Sequence, residues 1–274
     1  MKQINHQESM EYALGILKRF DRLCQDNGLR YSVAYGTMIG CIRHKGFIPW
    51  DDDIDVMMPR ADYEKLLQLQ FHEGPYELRH YRYTDGYYYP FAKMIDNRTL
   101  LKEVNRCEQS MGIFIDVFPF DFLPDGYVYT DNSLKTMKKH WDDMLKIGMS
   151  LKNPNAQTKI HRRIGRCFYY CMVHPFRKQL LALKEGKYLK AQKTDSDLTF
   201  CQFSSFKKGS FITENEWKNI IRMPFEDTEV CVLAVYDRIL KGVYGDYMQL
   251  PPEEQRVCPH QIQIWLKDKN EGNL

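Results

Sequence analysis

The 274-residue chain balances 39 Lys and Arg against 36 Asp and Glu, a formal net charge of +3, and is 43% hydrophobic and 27% charged. Those proportions are those of a folded chain with a sizeable core, which excludes an intrinsically disordered protein, and a charge this small gives no reason to expect nucleic acid as a partner. Nowhere do about 18 apolar residues run together and the N-terminus lacks an apolar leader segment, so the expected location is cytoplasmic, at most peripheral at the inner face of the plasma membrane.

In chain order, Met10, Leu14, Leu17, Phe20 and Cys24 recur at three- and four-residue steps, which predicts an amphipathic helix over Gln7 to Asn27 with Asn27-Gly28 as its stop. "RYSVAY" reads as a short strand that breaks at Gly36-Thr37 into a short helix ending near His44. "DIDVMM" alternates carboxylate and aliphatic residues with the two-residue period of a half-buried strand, ended by Pro59, and "RADYEKLLQL" reads as a helix. "YELRHYRY", "FAKMID" and "GIFIDVFPF" are further strand candidates. From about Thr130 to Tyr188 the texture becomes helical, Thr213 with Glu216 forms a capping-box pattern, and "EVCVLAVYDRILKGVYG" reads as a last helix. The fold class is α+β (mixed α/β), with a catalytic core over 1–129, a helical insertion over 130–210 and a C-terminal segment over 211–274 completing the core. The eight cysteines lack paired short spacings and read as free thiols.

The stretch "YGTMIGCIRHKGFIPWDDDIDV" places Asp51, Asp52, Asp53 and Asp55 within five positions. Adjacent carboxylates repel, so something cationic is expected among them. If Asp53 and Asp55 lie on one strand, their side chains share a face about 7 Å apart. Such a pair suits magnesium or two metal ions that clamp a phosphoryl group. Asp116 stands between Ile115 and Val117 as Asp53 and Asp55 stand between their own aliphatic neighbours, and strand pairing would bring the three together. Gly36 permits a tight turn, and Thr37 offers a hydroxyl and an amide at a helix start, where phosphate is favoured.

This set resembles the nucleotidyltransferase fold of the polymerase β type. The segment "YGTMIGCIRHKGFIPWDDDIDVMMPRADYEKL", with "FAKMIDNRT", "GIFIDVFPF" and "VYGDYMQLPPEEQR", resembles the LicD family of phosphotransferases, which also includes the fukutin-type proteins. The resemblance implies transfer of a phosphorylated alcohol, most often phosphocholine and in some relatives a polyol phosphate. The donor would be a CDP-alcohol and the acceptor a hydroxyl of a cell-surface glycan or its lipid-linked precursor, with CMP released. It further implies Mg2+, or Mn2+, held by Asp53, Asp55 and Asp116, with Asp116 favoured over Asp51 as the proton acceptor. Arg43, Lys45 and Lys93 would meet the diphosphate, and Trp50 with Tyr87, Tyr88 and Tyr89 could cage a quaternary ammonium.

Other readings stay open. A nucleotidyltransferase releasing pyrophosphate would use the same carboxylates, and a non-catalytic glycan- or nucleotide-binding scaffold would keep the fold. A calcium loop on Asp51, Asp53 and Asp55 lacks its glycine, replaced by Val56. Cys167, Cys171 and His174 share a helical face without a fourth ligand and read as packing. The basic, aromatic stretch from Lys159 to Lys187 reads either as a solvated helix or as a membrane-surface helix, with Phe168, Tyr169 and Phe176 at the boundary and Arg162, Arg163 and Arg166 near anionic lipid.

Overall fold

The computed structural model describes residues 1–101, 111–122, 131–148, 160–191, 198–200, 211–258 and 263–268. Strand β1 (Lys2–Ile4) leads into helix α1 (His6–Asp26), which opens on a reciprocal cap. The Asn5 side chain accepts from the Glu8 amide and the Glu8 carboxylate accepts from the Asn5 amide, each at 2.9 Å. These bonds satisfy donors that the helical ladder leaves open. Met10, Leu17, Phe20 and Cys24 are buried on the face that the sequence periodicity marks, with Leu14 of that set half-buried.

Strand β2 (Ser32–Val33) and helix α2 (Tyr35–Ile39) run into a wide turn over Gly40–His44, closed by the Lys45 amide donating to the Gly40 carbonyl. Strand β3 (Asp55–Pro59) and helix α3 (Arg60–Gln68) follow. Ladder pairing starts at Asp55, two residues later than predicted; Ile54 contributes its carbonyl, which accepts from the Asp116 amide at 2.8 Å. Strands β4 (His72–Glu73), β5 (Tyr76–Arg79), β6 (Ala92–Asp96), β7 (Thr99–Leu101) and β8 (Ile113–Phe122) complete this half of the chain. The predicted strand "YELRHYRY" stops at Arg79 because the His80 carbonyl accepts the amides of Tyr83 and Thr84, turning the chain.

Strand β8 is the axis of the main sheet: parallel to β3 along one edge and antiparallel to β6 along the other. Beyond β3 lies β2, and beyond β6 lie β5 and β4. A parallel pair needs a long crossover, which the chain between β3 and β8 supplies. Ile54, Val56, Met58, Ile115 and Val117 are fully buried beside α1, forming the main core.

The helical texture after Thr130 corresponds to α4 (Asp131–Gly148), α5 (Ile160–Val173) and α6 (Arg177–Lys190). Strand β9 (Leu198–Phe200) then returns to the sheet against the end of β8, and β10 (Ile212–Thr213) pairs with β9. The predicted helix over "EVCVLAVYDRILKGVYG" is half wrong. Strands β11 (Ile220–Phe225) and β12 (Thr228–Leu233) form a hairpin, and helix α7 is confined to Tyr236–Tyr244. Val230 and Val232 are buried while Glu229 is exposed, the two-residue period of a strand. Strand β13 (Ile264–Leu266) joins β1 to β7 in a separate small sheet. Among the described residues no helix is long and apolar enough to cross a membrane.

Helix α6 is held to the main sheet by buried charge. The Glu185 carboxylate accepts from Arg82 at 2.8 Å, from Arg60 at 3.3 Å and from the Tyr81 hydroxyl, while Arg60 also forks onto Asp121 of β8. Arg177, also buried, lies between the rings of Tyr88 and Tyr170 at 4.7 and 4.5 Å. Removing one partner of a buried ionic group strands the others. Glu185→Ala is therefore expected to lower the unfolding free energy by about 3–5 kcal/mol in urea titrations; a loss under about 1 kcal/mol would show that the network does not hold α6 in place.

Candidate active site

Register decides which side chains meet. Asp55 on β3 stands opposite Asp116 on β8, and Asp116 stands opposite Lys93 on β6. Residues paired across a sheet project to one face, so these three form a row across three strands. The Lys93 ammonium forms an ion pair with Asp116. It is 2% exposed and enclosed by the rings of Phe114, Tyr89 and Phe91 at 3.5, 4.7 and 5.2 Å.

The segment before β3 brings the remaining carboxylates to this row. The Asp55 amide donates to the Thr37 hydroxyl at 2.9 Å and the Asp55 carbonyl accepts from the Ala34 amide at 2.8 Å, so α2 fixes the strand start. Carboxylate oxygens of Asp51, Asp52 and Asp53 lie within 4.8 Å of one another. A Cβ on Gly36 would come within 2.6 Å of an Asp51 oxygen, so any larger residue there would displace that carboxylate. The left-handed residue of the turn is Tyr35, at φ 47°, where the sequence pointed to Gly36.

The site is electrically negative. Burial, then the carboxylates of Asp53 and Asp116, push Asp55 well above the ordinary carboxylate range despite the opposing field of Lys93. Burial, then Asp53 and Asp52, raise Asp51 to about 7. Burial lowers Lys93 against the pull of Asp116 and Asp55. Carboxylates crowded to this degree fit a hard divalent cation, whose charge would offset their repulsion, and Asp55 and Asp116 stand on one face of the row beside the Asp51, Asp52 and Asp53 group.

Other expected contacts lie elsewhere. The Arg43 guanidinium donates to the carbonyls of Tyr247 at 2.7 Å and Gln249 at 3.3 Å, pinning the segment after α7. Lys45 is exposed and adopts φ 61°, its carbonyl accepting from the Glu226 amide at 2.7 Å. Trp50 is half-buried, edge-on to His44 at 6.3 Å and with the Arg256 guanidinium 5.8 Å from its ring centre. Tyr87 and Tyr88 are buried, and Tyr89 faces Lys93, so these rings serve the interior. Cys167 and Cys171 are exposed free thiols, not the packed side chains expected.

Two neighbours of the site escaped the sequence reading. Tyr244, on α7, has its hydroxyl raised by burial and then by the fields of Asp55, Asp51 and Asp53. The Cys258 thiol donates to Asp52 at 3.1 Å, closing the C-terminal segment over the aspartate run. Tyr244 stands in the "VYGDYMQLPPEEQR" stretch and Cys258 follows it, and each reaches the site only through the fold of the C-terminal segment.

Residues 28–178 match the domain family described as LicD/FKTN/FKRP, nucleotidyltransferase domain. The chain is 31% identical over 277 aligned residues to the lipopolysaccharide cholinephosphotransferase LicD of Haemophilus influenzae, covering 96% of this chain and 98% of that one. Uncharacterized proteins of Rickettsia prowazekii and Rickettsia typhi are each 28% identical, over 46% and 42% of this chain and 44% and 36% of their own length.

A raised carboxylate binds protons in the folded state that it releases on unfolding, so its contribution is present at low pH and is lost as pH rises from 3.8 toward the folded value, about 7 for Asp51. Asp55→Asn is accordingly expected to raise the melting temperature of metal-free protein at pH 7.5 by about 3 °C or more, with the gain shrinking at pH 5. Differential scanning calorimetry reads this directly, and a gain that is absent, or equal at both pH values, contradicts the electrostatic account.

Proposed function

The chain belongs to the LicD family, and from that membership and its acidic row we propose that it transfers a phosphorylated alcohol, phosphocholine, from a CDP-activated donor to a glycan hydroxyl. The observation that carries this reading is the register that sets Asp55 beside Asp116 with Lys93 in the same row. The acceptor is a lipopolysaccharide-type glycan or its lipid-linked precursor, and the reaction takes place on the cytoplasmic side of the membrane that carries it.

The acceptor oxygen forms a bond to the phosphorus bearing the alcohol, the bond from that phosphorus to the bridging oxygen breaks, and CMP leaves with that oxygen. Asp53, Asp55 and Asp116 are the residues that would hold Mg2+ or Mn2+, which when bound supplies positive charge to the phosphoryl oxygens. Lys93 holds Asp116 in line with Asp55, and Thr37 fixes the backbone from which Asp55 projects. Of the two carboxylates considered as proton acceptor, Asp116 is engaged by Lys93, whereas Asp51 lies beside Gly36 with a proton affinity raised to about 7. Asp51, not tied to Lys93, is thus the freer of the two to take the hydroxyl proton. Lys45, exposed at the turn after α2, would meet the donor from solvent, while Arg43 acts through the 247–249 segment that it anchors.

With CDP-choline, a glycan acceptor and magnesium, the wild-type protein is expected to release CMP in step with acceptor labelling. Asp55→Asn should lower turnover by about a thousandfold or more, on the order of 4 kcal/mol of transition-state stabilisation. Pyrophosphate release from a nucleoside triphosphate in place of CMP would identify a nucleotidyltransferase, and Asp55→Asn with wild-type turnover would remove the assigned site.

A further inference from the structure

Helices α5 and α6 leave large apolar side chains in solvent. Phe168, Met172 and Phe176 stand four residues apart and are 70%, 61% and 58% exposed, and Leu183 on α6 is 67% exposed. The four-residue step puts Phe168 and Met172 on one side of α5 and carries the line into the turn His174–Phe176. Packing is done by other residues of the same elements: Val173 and Leu180 lie against the second apolar cluster, and Arg177, Leu181, Glu185 and Tyr188 are buried. Isolated exposed apolar residues are ordinary, whereas a line of them marks a surface that something covers.

Charge identifies what covers it. Between Ile160 and Lys190 the sequence has eight basic residues and one acid, Glu185; Arg177 and Glu185 are both buried, and the seven charged residues that remain are all cations. Glu185 is buried and engaged by Arg60 and Arg82, so it offers no negative charge to a partner. Lys178 pairs with Asp85 and Lys184 with Asp143, while Lys187 and Lys190 are exposed in the last turn of α6. Exposed aromatic and methionine side chains on a segment this rich in cations are what a helix lying in the headgroup layer of an anionic bilayer requires.

We propose that this face docks on an anionic lipid bilayer, with Phe168, Met172 and Phe176 entering the headgroup–acyl boundary. The inference does not depend on the transfer chemistry: it concerns binding to lipid whatever donor the site uses. It accounts for why the strip is presented on helices that are themselves anchored to the sheet through Glu185 and Arg177, since a rigid mount fixes the angle between the bilayer and the protein.

Full-length protein would be sedimented with vesicles of phosphatidylcholine alone and of an equimolar mixture with phosphatidylglycerol, at low and high salt. Binding is expected to the anionic vesicles and to weaken with salt, and the triple variant Phe168→Ser, Met172→Ser, Phe176→Ser should bind them at least about tenfold more weakly. These positions are exposed, so circular dichroism and the melting temperature should stay at wild-type values. Transfer to a soluble acceptor should also be unchanged, which separates failure of this inference from failure of the transferase reading. Wild-type protein that ignores anionic vesicles, or binds both compositions alike, overturns the proposal, as does a triple variant that binds like wild type. A lipid-free dimer abolished by the same substitutions overturns it too, since the strip is then an interface between copies.

Discussion

Strand β8 lies between β3 and β6 in a register that lines up Asp55, Asp116 and Lys93 across the sheet. Two carboxylates and an ammonium on adjacent strands constrain each other: the ion pair of Lys93 with Asp116 offsets one negative charge, and what remains draws on Asp55 and the aspartates before it. A slip of one residue along β8 would turn Asp116 into the apolar core and put Ile115 or Val117 on the charged face. The aliphatic neighbours Ile54, Val56, Ile115 and Val117, all fully buried, oppose that slip, because exposing any of them forfeits about 1.5–3 kcal/mol. Hydrophobic alternation and the placement of the acidic row are thus one constraint.

Much of this could be read in the sequence because it is local. The alternation of acid and aliphatic residues around Asp55 and Asp116 marked both strands, and the carboxylate crowding from Asp51 marked the site. The start of β3 was misplaced because extended backbone and ladder pairing are indistinguishable by alternation alone: Asp53 lies two residues before the strand and has no ladder partner in β8. Strand β12 of the β11–β12 hairpin was taken for helix because Val230 through Tyr236 form one continuous apolar run that leads straight into α7. Its turn is marked by Glu226 at φ 52°, a residue with no turn signature of its own.

Roles that depend on distant segments were harder to see. Lys93 was legible as a cation near the site, yet its aromatic enclosure by Phe114, Tyr89 and Phe91 exists only after β6 pairs with β8. Arg43 lies between the glycine turn and the aspartates, which suggested a ligand contact, and the structure turns it toward the carbonyls of Tyr247 and Gln249. The consequence is that α7 and the chain after it form one rim of the acidic site, where Tyr244 senses Asp55 and Cys258 reaches Asp52. Residues hundreds of positions apart in sequence acquire their chemistry from the sheet that joins them.

The central claim is that Asp55 and Asp116 share one divalent cation. Anomalous diffraction from crystals soaked in manganese tests it most directly. The account predicts a manganese peak bound by carboxylate oxygens of both residues; a peak confined to Asp51, Asp52 and Asp53, with Asp116 touching Lys93 alone, would contradict it.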